Sequence, residues 1–191
     1  MPQVNSDLHH SLSDKQLIDK VLGGEPRAFA AIVKRTEPLV AQIVFKMIGR
    51  AEDRKDLAQD VYLKAYNNLS RFRYQSKLST WIATIAYNTC LSHLEKKQLI
   101  LLEEPYSNID IPESDPLPVL EKERIALLQT EIGNLSPIYR TLITLYHQQE
   151  LSYDEIGQIT GLPSGTVKSY LFRARQTLKN NILSKFKKEE L

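Results

Sequence analysis

The residue types that most often carry covalent or metal chemistry are sparse here: His9, His10, His93, His147 and a single cysteine, Cys90. None of them clusters at metal-ligand spacing. There is no glycine-rich phosphate loop and no G-x-S-x-G elbow. The acid pairs Glu103-Glu104 and Asp154-Glu155 fall on a Pro-containing stretch and on a helix surface, where solvation accounts for them. These absences predict no enzyme, no metal and no cofactor. What remains is recognition chemistry, carried by cations, hydroxyls and flat rings.

Its strongest concentration lies between Leu151 and Lys188. Tyr153, Ile156 and Ile159 put apolar groups on one face of a short helix, Gly161 suits its left-handed stop, and Pro163 suits the opening turn of the next. Val167, Leu171, Ala174 and Leu178 then recur at steps of four, three and four, a stripe to bury. Thr166, Lys168, Ser169, Phe172, Arg173, Arg175 and Lys179 are left outside it. From Pro163 to Lys188 there are seven Lys/Arg and no Asp/Glu. A short helix, a Gly turn and a longer basic helix make a helix-turn-helix sized for a DNA major groove. The plainer reading is a helical hairpin whose charges meet only water.

A second concentration is the polar loop SRFRYQSKLST at Ser70–Thr80, where Arg71, Phe72, Arg73, Tyr74 and Lys77 interleave charge with aromatic rings. Single-stranded nucleic acid needs both, cations for phosphates and rings for unstacked bases. Alternatively, Phe72 turns inward as an anchor and the cations are solvated.

The elements that must position these groups are helical throughout. Ser13 with Gln16 forms a capping box ahead of a helix that Gly23-Gly24 ends. Pro26 opens a second helix to about Ile48, in which Pro38 predicts a kink or two abutting helices. A third helix, about Asp53–Leu69, turns Leu57, Val61 and Ala65 inward and leaves Asp56, Gln59, Asp60, Leu63 and Lys64 outside. Leu63 is an apolar residue in a polar face, a hint of a partner surface. A fourth, capped by Ser79 or Thr80 and ending near Gln98, buries Trp81, Ile82, Ile85 and Ala86, with Asn88 and Ser92 on the other side. Beyond residues 99–120, whose prolines forbid a continuous helix, Ile125, Leu128, Ile132 and Leu135 mark a fifth helix. Ser136-Pro137 starts a sixth, with Ile138, Leu142, Leu145 and Tyr146 inward.

No strand-like alternation persists, so the fold class is all-α: two small helical domains, 13–98 and 121–186, on a flexible acidic linker at 99–120. Residues 1–12 form a frayed terminus and 187–191 a tail. The net charge of +2 hides a basic–acidic–basic layout, because residues 99–120 hold five acids and no base. That layout suits two nucleic-acid-facing domains and an acidic strap. A lone cysteine fits a reducing cytosol, and neither a signal peptide nor an apolar stretch near the ~20 residues of a membrane span is visible. A cytoplasmic protein without membrane insertion is expected.

Four segments in this order, DLAQDVYLKAYNNLSRF (56–72), STWIATIAYN (79–88), LSPIYRTLITLYHQQELSYDEIGQITGLP (135–163) and SGTVKSYLFRARQTL (164–178), resemble an extracytoplasmic-function (ECF) sigma factor of bacterial RNA polymerase. The resemblance covers about residues 14–98 and 121–184. It implies a region 2 domain that binds core polymerase and the −10 element, and a region 4 domain that binds the −35 element. It also implies promoter melting and initiation at a particular gene set, such as a stress or surface response. By the same resemblance Asp56, Gln59, Asp60, Leu63 and Lys64 dock on the polymerase clamp. Arg71, Phe72, Arg73, Tyr74 and Lys77, with Asn88 and Ser92, capture a flipped −10 base and its backbone. Lys168, Ser169, Phe172 and Arg173 match the −35 reading positions, while Thr166, Arg175 and Lys179 are better placed for phosphates. Many members carry Arg where this chain has Lys168, and Lys lacks the two-pronged guanine contact, so an identical −35 preference is not implied. An anti-sigma factor is a further implied partner, and the linker is implied to follow the RNA exit path. The rival from another class is a helix-turn-helix repressor or activator with a helical effector or dimerisation domain, binding DNA without polymerase. A third is a purely interacting helical adaptor.

Overall fold

The computed structural model describes residues 12–100 and 119–189. Most of the expected frayed terminus, most of the acidic linker and the last two residues lie outside them. Leu12, expected to fray, packs against the core, and α8 continues through residues 187–189 of the expected tail. Within the described residues every regular element is helical.

Four helices build the amino-terminal half: α1 (Asp14–Leu22), α2 (Phe29–Met47), α3 (Ala51–Asn67) and α4 (Leu78–Ile100). The capping box that starts α1 is present on both sides, with the Ser13 hydroxyl accepting from the Gln16 N–H and the Gln16 side chain accepting from the Ser13 N–H. Pro26 opens a 3-10 turn, Pro26–Ala28, and α2 follows. Pro38 sits inside α2 without dividing it, so of the two expectations, a kink or two abutting helices, the second is not what forms: α2 is one helix. Its buried residues Ala31, Ile32, Val40, Ile43, Val44 and Met47 fall on both sides of the proline, and the helix packs against α4 and α3. α4 begins at Leu78, one residue ahead of the expected caps, so Ser79 and Thr80 lie in its first turn.

The carboxy-terminal half comprises α5 (Val119–Gly133), α6 (Pro137–His147), α7 (Tyr153–Thr160) and α8 (Ser164–Glu189). In α5 the expected inward Leu128 is 41 % exposed, and Glu131 is the residue that is buried. Its carboxylate takes an ion pair from Lys185 of α8 and a 3.4 Å hydrogen bond from the Asn134 amide. The Lys185 hydrogen bond, ahead of burial acting the other way, holds the Glu131 carboxyl below the usual carboxylate range.

The two halves touch. α2 packs on α6 and α4 on α7, and one continuous apolar cluster runs from Leu17 to Ala174. In α6 six consecutive residues, Arg140 to Leu145, are buried. A helix on the surface of its own domain buries one stripe, so an unbroken buried run means cover on two faces. Here α8 covers one side and α2 the other. Arg140 fixes the junction, its Nε donating to the Lys46 carbonyl at the end of α2 and its Nη1 to the Gly133 carbonyl at the end of α5. One guanidinium thus serves carbonyls at two helix C-termini, one from each half.

Candidate nucleic-acid interface

The helix-turn-helix follows its sequence closely. Ser152 caps α7 in a second capping box, with Glu155 returning to the Ser152 N–H at 3.0 Å. Gly161 ends the helix in the left-handed region at φ 72°, a conformation that would strain any residue with a Cβ. Pro163 stands immediately before α8, its carbonyl accepting from the N–H groups of Thr166 and Val167. Val167, Leu171 and Ala174 are fully buried. That orientation turns Lys168, Ser169, Phe172 and Arg173 outward, and Phe172 is 60 % exposed with nothing apolar required to hold it there. Lys179 is exposed and Thr166 half-buried. Arg175 is different: it is half-buried, with its guanidinium 5.3 Å from the Tyr146 ring and Nε 3.4 Å from His147 Nε2. It is engaged within its own domain, a cation–π contact that a purely phosphate-facing role did not anticipate.

The loop between α3 and α4 separates its aromatic pair. Phe72 is 9 % exposed and packs on Trp81 at 5.4 Å between centroids, the inward anchor of the two readings open to it. It therefore does not offer a face to a base. Tyr74 lies on top of Phe72 at 4.8 Å, is 51 % exposed, and has φ 56°, a costly region for an aromatic residue. Arg71, Arg73 and Lys77 surround it, all exposed. On α4, Asn88 and Ser92 are exposed one turn apart on a common face. The loop cations and the Tyr74 ring are exposed together, and Asn88 and Ser92 are exposed further along α4 in the same half.

Asp56, Gln59, Asp60, Leu63 and Lys64 share the outer face of α3 at steps of three and four while Val61 and Ala65 are buried beneath. Leu63 is 59 % exposed. Lys64 bridges to Asp60 at 2.7 Å and donates to the Thr89 hydroxyl at 3.2 Å. Cys90 is fully buried, and that burial pushes its thiol up to about 12, which fits packing and not reactivity. Among the described residues no His/Cys/Asp/Glu group could hold a metal, and no helix is long and apolar enough to cross a membrane.

Sequence reasoning missed three residues at the junction. Glu155, set aside as a surface acid, receives Lys77 at 2.8 Å from the opposite half. Lys77, with the Ser152 N–H and hydroxyl, holds the Glu155 carboxyl down at about 2. Thr84 donates to the Gln158 carbonyl at 3.2 Å, and Arg140 joins α2 to α5. The S-x-x-E spacing from Ser152 to Glu155 was a visible cap signal, but nothing local reveals a partner 78 residues away.

These surfaces, an exposed basic helix face and a cation-rich aromatic loop on two helical bundles, have the chemistry of a nucleic-acid-binding protein. Residues 32–100 match the family model described as Sigma-70 region 2, and residues 125–178 match Sigma-70, region 4. The chain is 34 % identical over 185 residues to the ECF RNA polymerase sigma-E factor of Haemophilus influenzae, covering 90 % of this chain and 96 % of that one. It is 31 % identical over 182 residues to the ECF RNA polymerase sigma factor SigW of Bacillus subtilis, covering 88 % and 96 %. Among solved structures it is similar to the sigma factor RpoE in complex with the anti-sigma factor NepR from Bartonella quintana, with TM-score 0.65 and 23 % identity over 80 % of this chain and 94 % of that one. It is also similar to CnrH in complex with the cytosolic domain of CnrY, with TM-score 0.63 and 21 % identity over 90 % and 97 %. The chain belongs to the sigma-70 family as an ECF RNA polymerase sigma factor. It is a transcription initiation factor, and the catalysis belongs to the polymerase.

Proposed function

We propose that initiation is divided among three surfaces of this chain, working with core RNA polymerase in the cytoplasm. The outer face of α3, centred on Leu63, docks on the polymerase. The loop from Arg71 to Lys77, with Asn88 and Ser92, takes the −10 element, Tyr74 offering its ring to an unstacked base while Arg71, Arg73 and Lys77 hold phosphates. Flipping a base costs a few kcal/mol, which stacking and these cations offset. The face of α8 reads the −35 element, with Lys168, Ser169, Phe172 and Arg173 on base edges and Thr166 and Lys179 on backbone. The observation that carries this reading is the outward set on α8 above a fully buried Val167–Leu171–Ala174 stripe, because a merely solvated hairpin has no reason to expose Phe172. An anti-sigma factor is a further expected partner, since the RpoE relative is seen in complex with one.

A photo-crosslinking residue placed at position 172 or 74 tests the assignment in a holoenzyme–promoter complex. Position 172 should mark the −35 element and position 74 the non-template −10 strand. Labelling of neither, with the complex intact, would refute it.

A further inference from the structure

On the face of α8 assigned to the −35 element, one cation is tied down by its own domain. Lys168, Phe172, Arg175 and Lys179 follow one another at steps of four, three and four, so they share one edge of the helix. Lys168, Phe172 and Lys179 are exposed, whereas Arg175 is half-buried. Its guanidinium lies 5.3 Å from the Tyr146 ring, and its Nε donates to His147 Nε2 at 3.4 Å. Tyr146 in turn stacks on Tyr153, the first residue of α7, with centroids 5.1 Å apart and planes 19° from parallel. The Tyr146 hydroxyl donates to the Tyr153 oxygen, which raises the pKa of the Tyr146 phenol and lowers that of Tyr153. Arg175 donates to the same oxygen, and the Lys168 charge reaches it. Three helices meet here: α6 supplies Tyr146 and His147, α7 supplies Tyr153, and α8 supplies Arg175.

The arrangement orders a long side chain without consuming it. A guanidinium carries five N–H donors in one plane; Arg175 spends one on His147 and one on Tyr153, and stacking on Tyr146 uses only its flat face. His147 is suited to its part. Burial, and then the Arg175 charge, hold its pKa below the usual histidine value, so it stays a neutral acceptor near pH 7. The fully buried stripe of Val167, Leu171 and Ala174 already anchors α8, so a stacked surface arginine adds little to the fold. Its value lies in binding: a side chain ordered on folding loses less entropy when it grips a ligand. We propose that Tyr146 is a positioning residue for promoter binding, which with His147 presets Arg175 as a two-pronged grip on a phosphate of the DNA backbone beside the −35 element. This rests on the sigma-factor reading of α8. Tyr146 and His147 touch no DNA in this arrangement. Arg175 does, through its remaining N–H groups, and the planar guanidinium matches two phosphate oxygens as no lysine can. The Tyr153 oxygen accepts two bonds already and has its own O–H left to give, which suits the same anion.

The test is equilibrium binding of the reconstituted holoenzyme to a promoter fragment over a range of salt, read as a double-mutant cycle. Arg175→Ala should lower the log–log salt slope by about one, as loss of one phosphate contact does. Tyr146→Leu should weaken binding about two- to fivefold, the scale of an exposed cation–π contact, with the slope unchanged because the charge remains. Tyr146→Phe, which keeps the ring, should recover most of that loss. The chain carrying both Tyr146→Leu and Arg175→Ala should bind no worse than Arg175→Ala alone, a coupling that a merely structural tyrosine would not show. Arg175→Lys keeps the charge without the flat stack and should bind as Tyr146→Leu does, which preserves the test if Tyr146→Leu fails to fold. Additive losses in the cycle, an Arg175→Ala slope equal to the parent's, or Arg175→Lys binding as well as the parent overturns the proposal. A parent holoenzyme that binds a scrambled −35 element as well as a matched one would instead refute the reading of α8, and the grip with it.

Discussion

Phe72 and Tyr74 are two residues apart in one loop, and the structure gives them opposite work. Replacing Phe72 with Ala removes a ring that is 9 % exposed and wedged between Tyr74 at 4.8 Å and Trp81 at 5.4 Å. Buried Phe→Ala changes cost about 3–5 kcal/mol, and a loop-edge position that can partly collapse belongs at the lower end, about 3 kcal/mol. For a chain of this size, each kcal/mol moves the midpoint by about 2–4 °C, so Phe72→Ala should melt about 6–12 °C below the parent. Replacing Tyr74 with Ala removes a ring that is half in solvent and should change stability by no more than about 0.5–1 kcal/mol. Tyr74→Gly should be neutral or slightly stabilising, because φ 56° suits glycine. Both Tyr74 variants lose a stacking platform worth about 1–3 kcal/mol, so promoter opening should fall by about fivefold to 150-fold. Calorimetric melting reads the first effect, and permanganate reactivity of unpaired thymines at the −10 element reads the second. A Phe72→Ala variant that melts with the parent, or a Tyr74→Ala variant that opens promoter as well as the parent, would refute this division.

Arg173→Ala should cost about 1–3 kcal/mol of −35 discrimination, read as relaxed preference among mutated −35 elements in competition binding of holoenzyme. Lys179→Ala should weaken binding evenly across sequences and reduce the log–log salt slope by about one, as loss of a single phosphate contact does. Leu63→Ala should leave melting unchanged, the side chain being 59 % exposed, and weaken core polymerase binding by about 1 kcal/mol in titration. Glu131 has a folded carboxyl held below its unfolded value of about 4.3, so its contribution is complete above that pH and is lost as pH falls through the folded value. Glu131→Gln should therefore flatten the acid limb of the midpoint-versus-pH curve below about pH 4.5. An unchanged limb would show that the Lys185 pairing contributes nothing.

Much of this was legible because it is local. The Ser13–Gln16 box, the Gly161 stop and the Val167–Leu171–Ala174 stripe are dictated by residues within four positions of one another. What escaped depends on contacts made far along the chain. A loop gives no periodicity from which to read whether Phe72 points in or out, and Trp81, its support, was assigned only to its own helix. Thr141, Ile143 and Thr144 belong to no single-face pattern of α6, because α2 covers the second face. In α5, Glu131 outcompetes Leu128 for the interior because Lys185, 54 residues on, neutralises it there. Pro38 does not divide α2, a helix held by packing against α3, α4 and α6 that a sequence pattern does not display.

The most direct test of the central claim is run-off transcription reconstituted from this chain, core RNA polymerase and candidate promoters. The chain should bind core polymerase and direct initiation from templates carrying matched −35 and −10 elements, with no transcript when either element is scrambled. Failure to bind core polymerase, or tight dimeric binding to a palindromic site without it, would contradict the account.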